Sequence, residues 1–511
     1  MNGKQEYGDY QTPTVLADRV CEYLRHTKGL SPSVVIEPTC GIGNFLQSSL
    51  SFGAEKYYGV EINGGYCAHC QERFIDLPIT IFHCDFFDFN FQDLVTDPSN
   101  ILIIGNPPWV TNSMLSAGNS PNLPPKTNFK ALRGIDALTG TSNFDLCEFM
   151  ILRLIWDFRN TNTTIAMLCK TTVARNVFQE LQRCQIGFEY FELLLFDAQK
   201  EFGVCVSACV LLVKLSKTYY GMNKCQVISL DNAKEKLPSL SYDNGQILAE
   251  NQTFLYDFGG PSCFEWRQGI KHDCAKIMEL SKKDGLLLNG KGEIVELEDD
   301  FIFPLVKTSM FKKPVIYTFS KYVLVTQKKA REKTDFIARC APKTWAYLTQ
   351  NAASFANRKS VIYQNAPPFS MFGIGDYSYS PYKVGVSGFY KKPFFSVLCP
   401  EAGKPVMTDD TSYFICFQTY DMAYVSMLIL NSNLVQQYLM NIAFLDAKRP
   451  YTKKVLSRLS FQKILSVLQY EDLKETERTL SLEEHLTREM FFRFKGLSAP
   501  HQLNQLLLQQ A

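Results

Sequence analysis

Along the first ~215 residues, short runs of β-branched and aromatic residues alternate with stretches whose apolar positions recur at helical spacing. That alternation predicts a parallel sheet with crossover helices, an α/β class. Helical spacing covers residues 13–25 and 44–50, and strands are predicted at 33–36, 56–61, 80–83, 101–104 and 164–169. Residues 188–195 and 204–214, separated by a short turn region, read as an antiparallel hairpin closing the sheet. Between Trp109 and Asp145 the chain is rich in Ser, Asn, Pro and Gly with little periodicity, the texture of a long loop. Residues 218–300 are mixed and read as a connecting region after a first domain of residues 1–217. From 301 to 460 short aromatic-rich runs with Gly and Pro turns predict a second, mixed α+β domain, and 461–511 a set of C-terminal helices.

A chain of 511 residues with 46% hydrophobic and 20% charged residues is globular and accommodates two or three domains. The net charge of +2 says little, but residues 301–460 hold 21 Lys/Arg against 8 Asp/Glu. A basic block inside a near-neutral chain is the footprint of a phosphate-backbone partner. The N-terminus lacks the basic, apolar, small-residue order of a signal peptide, and no apolar run approaches the ~20 residues that span a bilayer, so a cytoplasmic location is expected. Sixteen cysteines are scattered through apolar contexts, with Cys67 and Cys70 forming the one C-x-x-C pair. Without a second pair at zinc spacing they read as reduced thiols, and no metal is expected.

Chemistry-bearing residues fall at successive strand ends. The first strand runs into Glu37-Pro38-Thr39-Cys40-Gly41-Ile42-Gly43-Asn44-Phe45, where glycines let the backbone approach a ligand. Glu61 ends the next strand, the distance at which an acid accepts ribose hydroxyls. Asp85-Phe86 follows the third, offering a carboxylate and a ring for an adenine amine and face. Asn106-Pro107-Pro108-Trp109 follows the fourth. An aromatic amine is a poor nucleophile because its lone pair is delocalised. Two acceptors aimed at its N–H groups, the Asn106 amide oxygen and the Pro107 carbonyl, favour a pyramidal nitrogen that can attack. The prolines fix the turn, and Trp109 offers a stacking face for an extruded base.

This order of motifs resembles the gamma class of amino DNA methyltransferases, the TaqI-type adenine-N6 enzymes, over roughly the first 215 residues. The resemblance implies a Rossmann-like, seven-stranded methyltransferase sheet that binds S-adenosylmethionine (SAM), followed by a target-recognition domain. In that family a Thr-Pro pair, here Thr12-Pro13, helps to hold the methionine part of SAM. The implied cofactor set is Thr12, Pro13, Glu37, Pro38, Gly41, Gly43, Asn44, Glu61, Ile62, Asp85, Phe86 and Asn106. The implied catalytic set is Asn106, Pro107, Pro108 and Trp109, with Phe202 ahead of Val206-Ser207-Ala208 as a second base-stacking ring and Phe196 as its competitor. Trp stands where the family more often has Tyr or Phe.

By position and charge, Arg358, Lys359, Lys383, Lys391, Lys392, Lys448, Arg449, Lys453 and Lys454 are candidates for phosphate contacts. Tyr377, Tyr379 and Tyr382 either face DNA or pack within the domain. The function expected is methylation of adenine N6 in double-stranded DNA. Alternatives are an RNA base amine, cytosine N4 (whose enzymes usually carry Ser at the Asn106 position), a protein glutamine, or an idle DNA-specificity subunit. With the Thr-Pro pair at residue 12, restriction is expected from a separate endonuclease chain, and the enzyme is expected to be a monomer.

Overall fold

Four strands of the N-terminal region run parallel and end on one edge: β1 (Val34–Glu37), β2 (Lys56–Glu61), β3 (Ile79–His83) and β4 (Ile101–Gly105). Because β1 lies between β2 and β4, the chain leaves β1 in one direction for β2 and β3 and returns on its other side. That reversal is the switch point where open α/β sheets hold ligands. The structure, a computed structural model, describes residues 10–95, 100–110, 145–232, 235, 237–243, 245–250, 256–445 and 447–497. The Ser/Asn/Pro/Gly-rich stretch 111–144 and the end of the tail lie outside the described residues.

The chain divides into two compact units, Met1–Gln252 and Thr253–Ala511. In the first, β5 (Thr163–Lys170) continues the parallel set, and β6 (Phe188–Phe196) and β7 (Ala208–Leu215) form the expected antiparallel hairpin, β7 lying between β5 and β6. Every residue of β4 and β7 is buried, so these strands are covered on both faces and read as unbroken apolar runs. Helices α1 (Thr14–Glu22), α2 (Asn44–Ser49), α3 (Gly64–Arg73), α4 (Leu146–Phe158) and α5 (Thr171–Arg183) bury apolar stripes such as Leu16, Ala17, Val20 and Cys21 of α1. The turn region expected before β7 holds a one-turn helix, α6 (Ala198–Phe202), closed by Gly203 at φ 72°.

The sheet does not stop at seven strands. β8 (Lys224–Ser229) pairs parallel with β6, and β9 (Ser239–Asp243) and β10 (Gln246–Glu250) extend it, giving the order β10-β9-β8-β6-β7-β5-β4-β1-β2-β3. The first unit therefore runs past residue 217 to Gln252. Polar residues such as Lys224 and Gln226 interrupt these strands and blur their period.

The second unit carries strands β11 (Arg267–Gln268), β12 (Glu279–Lys283), β13 (Leu286–Asn289), β14 (Ile302–Val306), β15 (Val315–Ile316), β16 (Tyr322–Leu324), β17 (Tyr382–Ser387), β18 (Phe395–Leu398), β19 (Met407–Thr408) and β20 (Ser412–Phe417). They form two five-stranded sheets, β11-β20-β17-β18-β15 and β13-β12-β16-β14-β19. The buried helix Tyr420–Asn431 packs on the first of these, and later helices include Tyr470–Thr479 and Arg488–Leu497.

Two of the basic residues singled out as phosphate contacts are placed otherwise. Lys383 lies inside β17 at 1% exposure, its Nζ donating to the Ser380 carbonyl at 2.9 Å. Arg358 is half-buried, and its guanidinium donates to the carbonyls of Phe355 (3.1 Å), His272 (3.2 Å) and Ser370 (2.5 Å) while lying 3.7 Å over the Tyr363 ring. Lys383 is walled off from any phosphate, and Arg358 braces loops. Tyr377, Tyr379 and Tyr382 are also packed into the unit: the Tyr379 hydroxyl donates to the Gln327 carbonyl at 3.2 Å, Tyr377 lies under Arg267 and Tyr382 against Tyr420.

Candidate active site

The carboxyl edge of β1 to β4 opens into a cavity of ≈ 430 Å³, within the range of small-molecule and cofactor sites. Its shape begins with the turn after β1. Gly41 and Gly43 adopt φ of 51° and 78°, and a Cβ on Gly43 would come within 2.6 Å of the Phe74 ring. The Gly43 amide donates to the Cys40 carbonyl at 2.7 Å, and α2 starts at Asn44. The segment before α1 is tied to this turn: Gln11 Oε1 accepts from the Ile42 amide at 3.1 Å, and Asn44 Nδ2 donates to the Thr12 carbonyl at 2.8 Å. Pro13 supplies the N-cap of α1, and Arg73 bridges the Ile42 carbonyl and Asn44 Oδ1.

Around this turn stand the expected acids. Glu61 Oε2 accepts the Gly41 amide and Oε1 the Asn63 amide, both at 2.8 Å, so the carboxylate is fixed by two backbone donors. Glu37 is buried at 3% exposure and accepts the Leu46 amide at 3.1 Å; burial pushes its carboxyl well above the usual range. Asp85 Oδ1 accepts the Phe87 amide at 2.8 Å. The Phe86 ring is packed beneath the Arg153 guanidinium, which also donates to the carbonyls of Phe86, Phe87 and Phe89.

Thr12, Glu37, Pro38, Gly41, Asn44, Glu61, Ile62, Asp85, Phe86, Asn106 and Pro108 all line the cavity; Pro13, Gly43, Pro107, Trp109 and Phe202 are not among its lining residues. Cys67 and Cys70 donate their thiols to the Glu61 and Gly41 carbonyls, both at 3.3 Å, and so brace the same turn. Sequence reasoning missed Tyr10, Gln11, Asn63, Leu146 and Met150 as wall residues, and Arg153 as the support of Phe86. For Tyr10 and Gln11 the signal was present, since they directly precede Thr12-Pro13.

Asn106 sits where β4 ends. Its Nδ2 donates to the Tyr10 carbonyl at 2.8 Å, whereas the buried Oδ1 has no partner among the described residues. A carbonyl can only accept, so Tyr10 fixes which end of the amide is which. The free end is a buried acceptor in a residue that lines the cavity. Beside it, Trp109 is 8% exposed and meets Phe202 edge-on at 5.5 Å between centroids, with Tyr10 at 6.3 Å from Trp109 and 6.1 Å from Phe202. Phe196 touches Phe202 at 6.2 Å. Trp109 and Phe202 are thus brought together, at the spacing of one direct aromatic pair.

These residues suit SAM. Fixed carboxylates at Glu61 and Asp85 match hydroxyl and amine donors, Val60, Ile62, Phe86 and Met150 supply apolar wall, and Asn106, a lining residue, carries a buried acceptor without a partner among the described residues.

In the second unit the remaining basic residues are exposed or partly so. Lys391 and Lys392 lie between β17 and β18, and Lys448, Arg449, Lys453 and Lys454 in a later segment. The two stretches are joined, because the buried Tyr451 hydroxyl donates to the Lys391 carbonyl at 2.9 Å. Arg449 and Lys448 lie 5.1 and 5.9 Å over the Phe389 ring, Arg449 also pairing with Asp410 at 3.9 Å. Lys359 is exposed at a separate cavity of ≈ 400 Å³.

No protein-family model matches the chain. The Type II methyltransferase M.NspV of Nostoc sp. (strain ATCC 29411 / PCC 7524) is 40% identical over 480 residues, spanning 91% of this chain and 98% of the relative. Among solved structures, the Type IIL restriction-modification enzyme MmeI, determined in complex with DNA, superposes with a TM-score of 0.50 at 11% identity, covering 96% of this chain and 76% of that one; at that identity the likeness speaks for the fold. With a relative this similar over almost its whole length, and with the glycine turn, fixed acids and Asn-Pro-Pro-Trp on one sheet edge, the chain belongs to the type II methyltransferases, SAM-dependent DNA methyltransferases of restriction-modification type.

Proposed function

We propose that the methylated atom is N6 of an adenine turned out of duplex DNA, and that the enzyme acts in the cytoplasm as a monomer, with restriction carried by a separate chain. The observation that carries the adenine reading is the Asn106 amide, in a residue that lines the cavity, held by Tyr10 with its buried oxygen unpartnered among the described residues. Bound there, SAM supplies an electrophilic methyl group. The chain's own work is orientation and electrostatics. Asn106 Oδ1 and the Pro107 carbonyl accept the two amine hydrogens and turn the nitrogen lone pair towards the methyl group. Trp109 and Phe202 enclose the base once their edge contact opens, and turning the base out costs a few kcal/mol that these contacts must offset. Glu61 and Asp85 hold the cofactor's hydroxyl and amine groups. Lys391, Lys392, Lys448, Lys453 and Lys454, with Arg449 and Lys359, are proposed to meet phosphates.

The test is tritium transfer from labelled SAM to unmethylated genomic DNA, followed by nucleoside analysis. Label in N6-methyladenine that vanishes in Asn106→Ala is the expected result. Label in N4-methylcytosine would overturn the adenine assignment, and undiminished transfer by Asn106→Ala would remove the amide from the chemistry.

A further inference from the structure

Lys170 ends β5 on the same carboxyl edge as Asn106 and is the N-cap of α5. Its Nζ donates to the Trp109 carbonyl at 3.3 Å and to Asp145 Oδ2 at 2.8 Å. Asp145 is itself the N-cap of α4, its Oδ1 accepting the Cys147 amide at 3.1 Å. The next residue, Leu146, donates its amide to the Val110 carbonyl at 2.9 Å. The end of β5, the start of α4 and the end of the Asn-Pro-Pro-Trp turn therefore meet at one ammonium group. The turn needs such an anchor, because two of its four residues are prolines with no N–H to tie it down.

The charge of the pair matters as much as its reach. Methyl transfer to a neutral amine leaves positive charge on the nitrogen until a proton departs, and a bare ammonium nearby would oppose that build-up. Asp145 cancels the lysine's charge while leaving its hydrogen bond to Trp109 intact. The Lys170 and Asp145 side chains are only 25% and 11% exposed, so solvent screens the pair less than it would at the surface.

We infer that Lys170, neutralised by Asp145, is a positioning residue that clamps the Trp109 carbonyl and holds the tetrapeptide for methyl transfer. This rests on the reading of Asn106 to Trp109 as the amine-activating turn. It assigns a role in the reaction to a lysine at the mouth of β5 that no motif marks.

The experiment measures single-turnover methylation of unmethylated DNA beside SAM affinity by calorimetry. Lys170→Met should slow transfer about tenfold or more while the SAM Kd stays within about twofold, since a small misplacement of reacting groups is costly. Lys170→Arg, which can still bridge a carbonyl and a carboxylate, should recover most of the rate. Asp145→Asn keeps the cap acceptor for Cys147 but strands the lysine's charge, and should slow transfer too. Wild-type rates in Lys170→Met, or no rescue by Lys170→Arg, would overturn the clamp; so would a loss of SAM binding in step with the rate. If Lys170→Met does not fold, Asp145→Asn decides by the same rate-against-affinity comparison. Transfer that survives Asn106→Ala would overturn the turn's role independently of the clamp.

Discussion

Burial moves the Lys383 ammonium down to about 8, because the one hydrogen bond to Ser380 replaces only part of its hydration. The unfolded chain keeps its proton up to about 10.4. Between those values the unfolded state binds more protons, so stability rises with pH across that window and is lost again as pH falls through about 8. Near neutrality the buried charge costs about 3 kcal/mol by that shift. Lys383→Met should therefore raise the unfolding free energy at pH 7 by about 1–2 kcal/mol after the lost hydrogen bond is counted, seen as a higher thermal midpoint. It should also flatten the gain between pH 8 and 10 and leave DNA affinity unchanged. A drop in DNA affinity without a change in stability would restore Lys383 to the phosphate contacts expected from the sequence. The acids at strand ends were legible one by one, because a parallel sheet puts those ends on one edge whatever packs around them. Lys383 was not, because Tyr-Lys-Val-Gly-Val-Ser reads as a strand with one wet face, whereas β17 is buried from Lys383 to Ser387.

β6 presents one edge to β7 and the other to β8 through the pairs Glu192–Gln226 to Leu195–Ser229. A chain ending at residue 217 would leave that second edge, apolar at Leu193 and Leu194, open to other strands. Expression of residues 1–217 should give aggregate, and expression of 1–252 a soluble protein that binds SAM, checked by sedimentation and calorimetry. Equal solubility would mean that β8 to β10 are dispensable. The strands β1 to β7 could be placed from sequence within a few residues: β4, β5 and β7 are buried almost throughout and read as apolar runs, and the partly exposed β2 and β3 still carry β-branched and aromatic residues. β8 to β10 could not, since they extend the sheet where fewer neighbours cover it and polar residues enter. The α6 turn was hidden for another reason: one helical turn has no period to detect, and it is set by the Asp197 cap and Gly203.

Charge is partitioned across the molecule, with the acid-lined cofactor cavity in the first unit and the basic residues around Phe389 in the second. Binding of cofactor and binding of the DNA backbone should then respond separately. Replacing Lys391, Lys392, Lys448, Lys453 and Lys454 by Gln should weaken binding to any duplex alike, and lower the slope of log K against log salt by about 0.9 for each phosphate left without its lysine. SAM affinity should hold. An unchanged slope would show that these lysines are merely solvated. Composition revealed the basic block, but only packing separated its solvent-facing members from the braces at Arg358 and Lys383.

If the turn receives the target base as proposed, the hydrogen bond from Asn106 to the Tyr10 carbonyl bears on which bases the enzyme tolerates. With Nδ2 held by the Tyr10 carbonyl, the oxygen is the end of this amide left to meet a partner. Hypoxanthine, which differs from adenine by a keto oxygen in place of the amine, would bring lone pairs against the Asn106 oxygen and the Pro107 carbonyl. Three acceptors would then crowd together with no hydrogen among them. On the adenine reading proposed above, a deaminated site would lack the amine that takes the methyl group, and its keto oxygen would also be repelled at the turn, so that it would not occupy the enzyme unproductively.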